Sequence, residues 1–354
     1  MAESRREFDQ FVQHMRIRMA TIATIGIDLA KSAFSVHAVS DGGAVQMHCT
    51  VSRAKLLPLI AKLSPCLIGM EACSGSHEWA RRFREMGHAV RLMAPKFVVA
   101  YRKGGKNDGN DAEAICEAVS RPNMRFVPIK TIDQQAVLTL HRIRQGFVTE
   151  RTAIINRMRS LLAEFGIVVA QGANRARHDI AEHLDRLPIL VSSSLQDLLD
   201  HLQGLDERVS QYDRQLSQLV RDDEVAQRLQ SIPGVGPLTA SAIVASVGNA
   251  TEFRNGRQFA AWLGLVPRQN STGGKARLGH ITKSGDTYLR TLLVLGARAM
   301  LHRVARHQDR LSQWVAGVRE RRGYARTTVA LAAKNARILW ALLTKGDRFV
   351  AVPA

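Results

Sequence analysis

Ile25-Gly26-Ile27-Asp28-Leu29-Ala30-Lys31 sets one carboxylate in the middle of an apolar, β-branched stretch. Thr21 to Thr24 lead into it, and the alternating run Phe34-Ser35-Val36-His37-Ala38-Val39 follows after a short break. That pattern predicts two strands, at 21–30 and 33–40, joined as a hairpin. An aspartate inside a buried strand is costly unless something pairs with it, and a metal ion or a buried Lys or Arg would serve. The remaining chain is therefore read for groups that could join Asp28.

Working outward, a third strand is expected at 44–51 and a helix around 53–63. A strand over Cys66-Leu67-Ile68-Gly69-Met70-Glu71-Ala72 follows, then a helix from Ser76 to Gly87 and a strand from Ala89 to Met93. Three strands followed by alternating helix and strand predict a mixed sheet with helices on its faces, and the RNase H-like arrangement has that order. The polar, glycine-rich segment Lys103 to Asp111 runs into a helical stretch, Ala112 to Val119. Asn107, Asp108 and Asn110 suit an N-cap, and Asp108 and Asp111 share a face. Asp28, Glu71, Asp108 and Asp111 thus form a candidate cluster. Carboxylates gathered this closely repel unless divalent cations sit between them, and magnesium prefers oxygen ligands. Two such ions could clamp a phosphoryl displacement. Singly, Asp28 could be salt-bridged and Asp108 could merely cap a helix.

Residues 131–165 and Ser194 to about Gln230 carry apolar positions in steps of three and four, including Leu140, Ile154, Leu161, Leu202, Val209 and Leu216. Together they predict an antiparallel coiled-coil arm, with an ordinary helical bundle as the alternative. Gln171 to Arg175 and Pro188 read as connections. Ser231-Ile232-Pro233-Gly234-Val235-Gly236-Pro237 opens a helix-hairpin-helix-like segment, whose glycine turn would offer backbone N–H groups to a phosphate. A helix at 251–265 is expected next, then a loop over Pro267 to Lys275. Lys283-Ser284-Gly285-Asp286 leads into a helix with Leu289, Leu292 and Leu293. Ser271 stands in the glycine-rich loop near Arg268 and Lys275. It could attack a phosphodiester beside those cations, or belong to a plain surface turn.

Charge narrows the partners. The 354 residues hold 50 Lys and Arg against 31 Asp and Glu, a formal net charge of +19, with a pI near 10.7. Between Lys275 and Arg337 stand 14 basic residues against Asp286, Asp309 and Glu320, so salt-sensitive phosphate binding is expected in this half. Nucleic acid is the expected polyanion and an anionic membrane surface the weaker candidate. No apolar run reaches the ~18 residues of a membrane span. Residues 1–20 read as a basic extension without the apolar region of a secretory signal. Cys49, Cys66, Cys73 and Cys116 form no CxxC pair and fit buried thiols of a reduced, cytoplasmic protein.

Several stretches together carry a resemblance. They are Gly26 to Lys31, Met70-Glu71-Ala72-Cys73, Asn107-Asp108-Gly109-Asn110-Asp111-Ala112 and Ile232 to Pro237. Gly264-Leu265-Val266-Pro267-Arg268-Gln269-Asn270-Ser271-Thr272-Gly273-Gly274-Lys275 and Gly279-His280-Ile281-Thr282-Lys283-Ser284-Gly285-Asp286 complete them. The chain resembles the DEDD transposases of the insertion-sequence 110/1111 family, on its 1111 side, a group of RNA-guided (bridge-RNA or seekRNA) recombinases related to Piv-type DNA invertases. The resemblance implies an α/β plus α architecture in four parts: the 1–20 extension, a RuvC-like DEDD domain at 21–130, a helical dimerisation arm at 131–230 and a mainly α transposase domain at 231–354. It implies catalytic Asp28, Glu71, Asp108 and Asp111 holding one or two Mg2+ ions (Mn2+ as substitute), and a serine nucleophile at Ser271, next to Thr272. Nucleic-acid contacts are expected from Lys106, Gly234, Gly236, Arg268, Lys275, Arg277, Lys283 and Arg290. The implied partners are donor and target double-stranded DNA, a structured non-coding guide RNA and further copies of the chain, from dimer to tetramer, in the bacterial cytoplasm at the nucleoid. Two other readings stay open: a RuvC-like metal-dependent nuclease using water, and a non-catalytic nucleic-acid-binding scaffold.

Overall fold

The computed structural model describes residues 22–353 except 106, 274, 276 and 305–307. The expected extension at 1–20 lies outside the described residues. The chain divides into two compact units, Met1–Thr131 and Ile132–Ala354.

The first unit is built on a six-stranded mixed sheet. Strands β1 (Ile22–Leu29), β2 (Ala33–Ser40) and β3 (Val45–Ser52) form an antiparallel meander. Helix α1 (Arg53–Ile60) leads to β4 (Leu67–Glu71), helix α2 (Ser76–Glu85) to β5 (Ala89–Met93), and both strands run parallel to β1. A short turn α3 (Pro95–Val98), helix α4 (Asp108–Val119) and strand β6 (Phe126–Val127) complete it, in the order β3-β2-β1-β4-β5-β6. Successive residues of a strand point to opposite faces of the sheet. Ile25, Ile27, Ile68 and Met70 are fully buried in one core with Leu56 and Ile60 of α1 and Trp79 and Phe83 of α2. Gly26 and Gly69, between them, point to the opposite face, where α4 lies. A Cβ on Gly26 would fall 2.2 Å from the Ala112 carbonyl oxygen, and one on Gly69 would fall 2.7 Å from Val119. Only glycine lets the helix backbone approach this closely.

The second unit is helical. Helices α5 (Ile132–Ala163) and α7 (Ile189–Arg221) lie antiparallel, tied by Arg144 to Asp213 and by Arg151 to Asp206. Helix α6 (Ala173–His183) packs between their far ends, where Ala176 and Ile180 join Ile155, Met158, Leu162, Leu195 and Leu202 in one core. The remaining elements are α8 (Glu224–Leu229), α9 (Pro237–Val247), α10 (Gly256–Trp262), the two-stranded ribbon β7 (Pro267–Gln269) and β8 (Leu278–Ile281), α11 (Thr287–Leu301) and α12 (Arg310–Lys345). Phe259, Leu263, Leu293, Ala297, Leu331 and Leu339 are among the buried residues of their shared core.

Four expectations need correction here. The stretch Gln171 to Arg175 is more than a connection, because α6 begins within it at Ala173. The second long helix starts at Ile189, directly after Pro188 at its N-cap, and stops at Arg221. There the Asp223 carboxylate accepts from the Ala226 N–H and starts the separate helix α8. The helix expected at 251–265 is a 3-10 turn, Ala250–Glu252, and then α10, which Asn255 caps through the Gln258 N–H. Part of the Pro267 to Lys275 loop is a strand, so the C-terminal part is helical with a small ribbon inserted.

Candidate active site

Asp28 and Glu71 lie next to one another. Ile27 and Met70 are paired across parallel β1 and β4, and each acid is the next residue on its strand. By alternation both belong to the face of Gly26 and Gly69, the face that α4 covers. Both are half-buried. Cys73, two residues past Glu71, senses both: burial first, then the charges of Glu71 and Asp28, hold its thiol above its ordinary value.

Helix α4 brings the other pair. It runs antiparallel to β1, since the Cys116 thiol reaches the Thr24 carbonyl at 3.7 Å while Gly26 abuts Ala112 and Cys116. Its N-terminus therefore lies toward the end of β1 that carries Asp28. The Asn107 side chain accepts from the Asn110 N–H at 2.8 Å and fixes the start of the helix. Asp108 and Asp111 occupy the first turn, where the helix dipole favours negative charge. Asp108 is exposed and Asp111 half-buried.

Three residues near this edge were not singled out in the sequence. Arg102 donates to the Asp111 carboxylate at 3.2 Å. Cys73, expected as a buried thiol, is exposed in the turn after β4, where its N–H donates to the Glu71 carbonyl at 2.9 Å, and Arg102 stands in a loop with no periodicity to place it. His48 borders the start of α4, because a Cβ on Gly109 would lie 3.1 Å from its ring. The Nδ1 atoms of His48 and His37 stand 3.2 Å apart, and burial pushes His37 below its ordinary value.

The donor set is four carboxylates, hard oxygens that suit a divalent cation. As they stand, no group of three or more His, Cys, Asp or Glu among the described residues is arranged to hold a metal ion. The Arg102–Asp111 pair gives one physical reason. The acids share an edge and a face, and would have to draw together around an ion.

Ser271 belongs to the second unit. It sits in the turn of the β7–β8 ribbon, closed by the Asn270 N–H to the Arg277 carbonyl at 2.9 Å and by a bridge between Thr272 and Lys275. Its Oγ accepts from the Gln269 side-chain amide at 3.0 Å and the Arg277 backbone N–H at 3.3 Å. Both partners are donors, and neither is a base. Ser271, Arg268, Lys275, Arg277 and Lys283 are all exposed, with Arg268 steadied on the Thr282 carbonyl at 3.3 Å. The hairpin thus offers a hydroxyl among cations with nothing beside it, among the described residues, to take its proton.

The other expected nucleic-acid contacts divide. Gly236 caps α9 with open space around it, whereas Gly234 is packed: a Cβ on Gly296 of α11 would fall 1.8 Å from its carbonyl oxygen. Arg290 needs correction. It is buried, and its guanidinium donates to the Leu263 carbonyl at 3.2 Å and the Thr287 hydroxyl at 3.0 Å, so it braces the fold from inside. Lys106 lies outside the described residues.

Comparison with known proteins follows this division. Residues 25–167, which span the acid edge, match the family DEDD_Tnp_IS110, a transposase family. Residues 226–313, which span the hairpin, match the family described as Transposase IS116/IS110/IS902 family. The chain is 50% identical over 329 residues to a probable family 20 transposase of Pseudomonas aeruginosa, covering 92% of this chain and 97% of that protein. It is 42% identical over 345 residues to the transposase for insertion sequence element IS1111A of Coxiella burnetii, covering 94% and 93%. It is also 42% identical over 334 residues to the transposase for insertion sequence element IS1328 of Yersinia enterocolitica, covering 94% and 99%. The chain belongs to the IS110/IS116/IS902 transposase family. Within that family frame, the acid edge and the serine hairpin fall in the two separately matched regions. No helix among the described residues is long and apolar enough to cross a membrane.

Proposed function

We propose that this transposase is the site-specific DNA recombinase of a mobile insertion sequence, cutting and rejoining DNA through a phosphoserine at Ser271 with Asp28, Glu71, Asp108 and Asp111 as its acidic partners. The observation that carries the reading is the acid edge: two carboxylates on adjacent parallel strands, on the face where the first turn of α4 presents two more. The sheet order, with three antiparallel strands followed by two parallel ones, supports a RuvC-like, RNase H-like domain. The hairpin supports the nucleophile, because Ser271 is exposed in a basic loop and its hydrogen-bond partners among the described residues are donors, with no competing acid among them.

In the reaction, Ser271 Oγ attacks the scissile phosphorus. The Oγ–P bond forms, the P–O3′ bond breaks, and the serine proton ends on the departing 3′ oxygen. A 3′ hydroxyl of a partner strand then attacks the phosphoserine and returns the proton to serine. Ester is exchanged for ester, so rejoining needs neither water nor a high-energy cofactor. Arg268, Lys275, Arg277 and Lys283 offset the phosphate charge during both transfers. A divalent cation such as magnesium, held by the four acids, would add positive charge against the same phosphate. Arg102 must then release Asp111.

In this reading the acids of one subunit serve the serine of another. Exposed Val168, Ile189 and Leu190, at 91%, 85% and 78%, are apolar surface that a dimer or tetramer would cover. A structured guide RNA would supply base pairing to donor and target DNA, leaving the protein to hold backbones. The IS1111A relative favours the 1111 branch. The test is to incubate the protein with DNA carrying an element end, denature it and look for a covalent adduct. The adduct is expected on wild type and absent on Ser271→Ala. Cut DNA without adduct, with Ser271→Ala still active, would mean water attack by a nuclease.

A further inference from the structure

Helix α12 loses the core midway. Its buried residues are Leu311, Ser312 and Val315 on one side and Thr327, Thr328 and Leu331 onward on the other. Between them Arg319-Glu320-Arg321-Arg322-Gly323-Tyr324-Ala325-Arg326 are exposed without exception. A helix lying on a core buries a residue every three or four positions. Eight exposed positions in a row mean that the chain lifts away as an elbow. Gly323 makes the bend, with φ 73° and ψ 173° inside an otherwise helical run. A Cβ there would meet nothing within 4 Å, so no neighbouring residue forces the break.

The elbow is costly for the chain by itself. Four guanidinium groups crowd onto it, and among the described residues none of the four is ion-paired with a carboxylate. Arg319 and Arg322 are three apart on a helix, a spacing at which like charges destabilise. Tyr324 stands among them, exposed at 37%. Its ring lies 6.2 Å from that of His302, also exposed, with the two planes 50° apart, so a second ring accompanies it at the arginine-rich segment.

We propose that this elbow, with His302, binds unpaired nucleotides of a nucleic-acid strand. Arg319, Arg321, Arg322 and Arg326 hold phosphates, and Tyr324 stacks on a base. Phosphates of a duplex would be satisfied by the arginines alone. Exposed rings among guanidinium groups add what only an unstacked base can use, a π face. Arginine suits this better than lysine, since its planar group also stacks. The inference deepens the nucleic-acid reading and is independent of the serine chemistry.

The test is binding by the full-length protein, measured as fluorescence anisotropy with a labelled single-stranded DNA 20-mer, the RNA of the same sequence and the matching DNA duplex. Tyr324→Ala is expected to weaken the unpaired probes about tenfold and the duplex little, and Tyr324→Phe to restore binding. Replacing Arg319, Arg322 and Arg326 with Ala should flatten the salt dependence for the single strand by a slope of about 2. A larger loss on RNA than on DNA would identify an RNA loop as the ligand, and the reverse a DNA strand, both in support. Unchanged affinity in every variant, or equal loss on duplex and single strand after Tyr324→Ala, would overturn the proposal. Binding is read without strand transfer, so failure here leaves the Ser271 chemistry standing, and failure of that chemistry leaves this measurement intact.

Discussion

The two regions that hold the candidate chemistry are built in opposite ways. The acid edge sits on packed structure, with Gly26 pressed against the backbone of α4 and its flanking isoleucines fully buried. The serine hairpin is exposed at every described position from 267 to 280 and is held by a few backbone hydrogen bonds. One is held by close packing, and the other stands in solvent. Neither is a complete active site, because the acids carry no nucleophile and the serine has no base among its described partners. If the site is composite, Ser271→Ala and Asp28→Asn should each reduce strand transfer on the order of 10³-fold or more. Mixing the two variants should then recover activity, since the acids of one subunit and the serine of the other remain whole. A mixture as dead as its parts would place both halves of the site in a single subunit.

The rigidity of the acid edge can be broken directly. Gly26→Val would drive a side chain into the Ala112 carbonyl and the Cys116 backbone, 2.2 Å and 2.4 Å from where its Cβ would stand. Backbone atoms yield less than side chains, so a loss of about 3 kcal/mol is expected by denaturant titration. Strand transfer should fall further than stability does, because α4 carries Asp108 and Asp111. The same substitution at Gly273, where a Cβ meets nothing within 4 Å, should cost stability only through its backbone φ of 56°.

This contrast also separates what the sequence could reveal from what it could not. The apolar, β-branched run around Asp28 placed β1, because a strand buried on both sides reads as a near-continuous apolar stretch, and that same continuity hid which residues share a face. The helix start at Asp108 was legible from its capping residues. The ribbon was not, since β7 and β8 are almost entirely exposed and exposed strands need no alternation. Helix α6 left little trace because, among its described residues, Ala176 and Ile180 are the buried ones, too few to register as a periodic face. Arg290 shows the limit of reading charge from composition: its residue is buried and its guanidinium is spent on the Leu263 carbonyl and the Thr287 hydroxyl.

The helical unit has its own rigid centre, with a pH signature. His141 of α5 is buried, with Nδ1 2.9 Å from the Tyr288 hydroxyl and Nε2 3.0 Å from the Ser241 hydroxyl. A neutral ring satisfies both, donating to one and accepting from the other. Burial pushes its pKa down to about 4 from 6.5; Arg144 adds to that shift and Asp213 opposes it. Because the folded form resists the proton, the stabilisation is complete above pH 6.5 and is lost as pH falls toward 4. The full span corresponds to about 3 kcal/mol. Urea titrations across that window should show the decline in wild type and a flatter profile in His141→Gln. Tyr288 opens the helix that follows the ribbon, so acid should loosen the hairpin's support before it reaches the hairpin itself.

The smallest effect concerns how the acid edge is held before any ion arrives. Arg102 and Asp111 pair at 3.2 Å with side chains 25% and 19% exposed, while Lys103 and Glu113 pair at 3.5 Å with Lys103 82% exposed. If Arg102 competes with a cation for Asp111, Arg102→Gln should tighten Mn2+ binding, measured by calorimetry. A partly exposed pair is worth up to about 1 kcal/mol, so the gain should be about fivefold. Lys103→Gln should leave Mn2+ affinity unchanged, because Lys103 is already in solvent and pairs outside the proposed ligand set. Asp111→Asn should erase the gain of Arg102→Gln when the two are combined. Equal tightening by both lysine and arginine variants would mean that general charge reduction, and not release of Asp111, governs the ion.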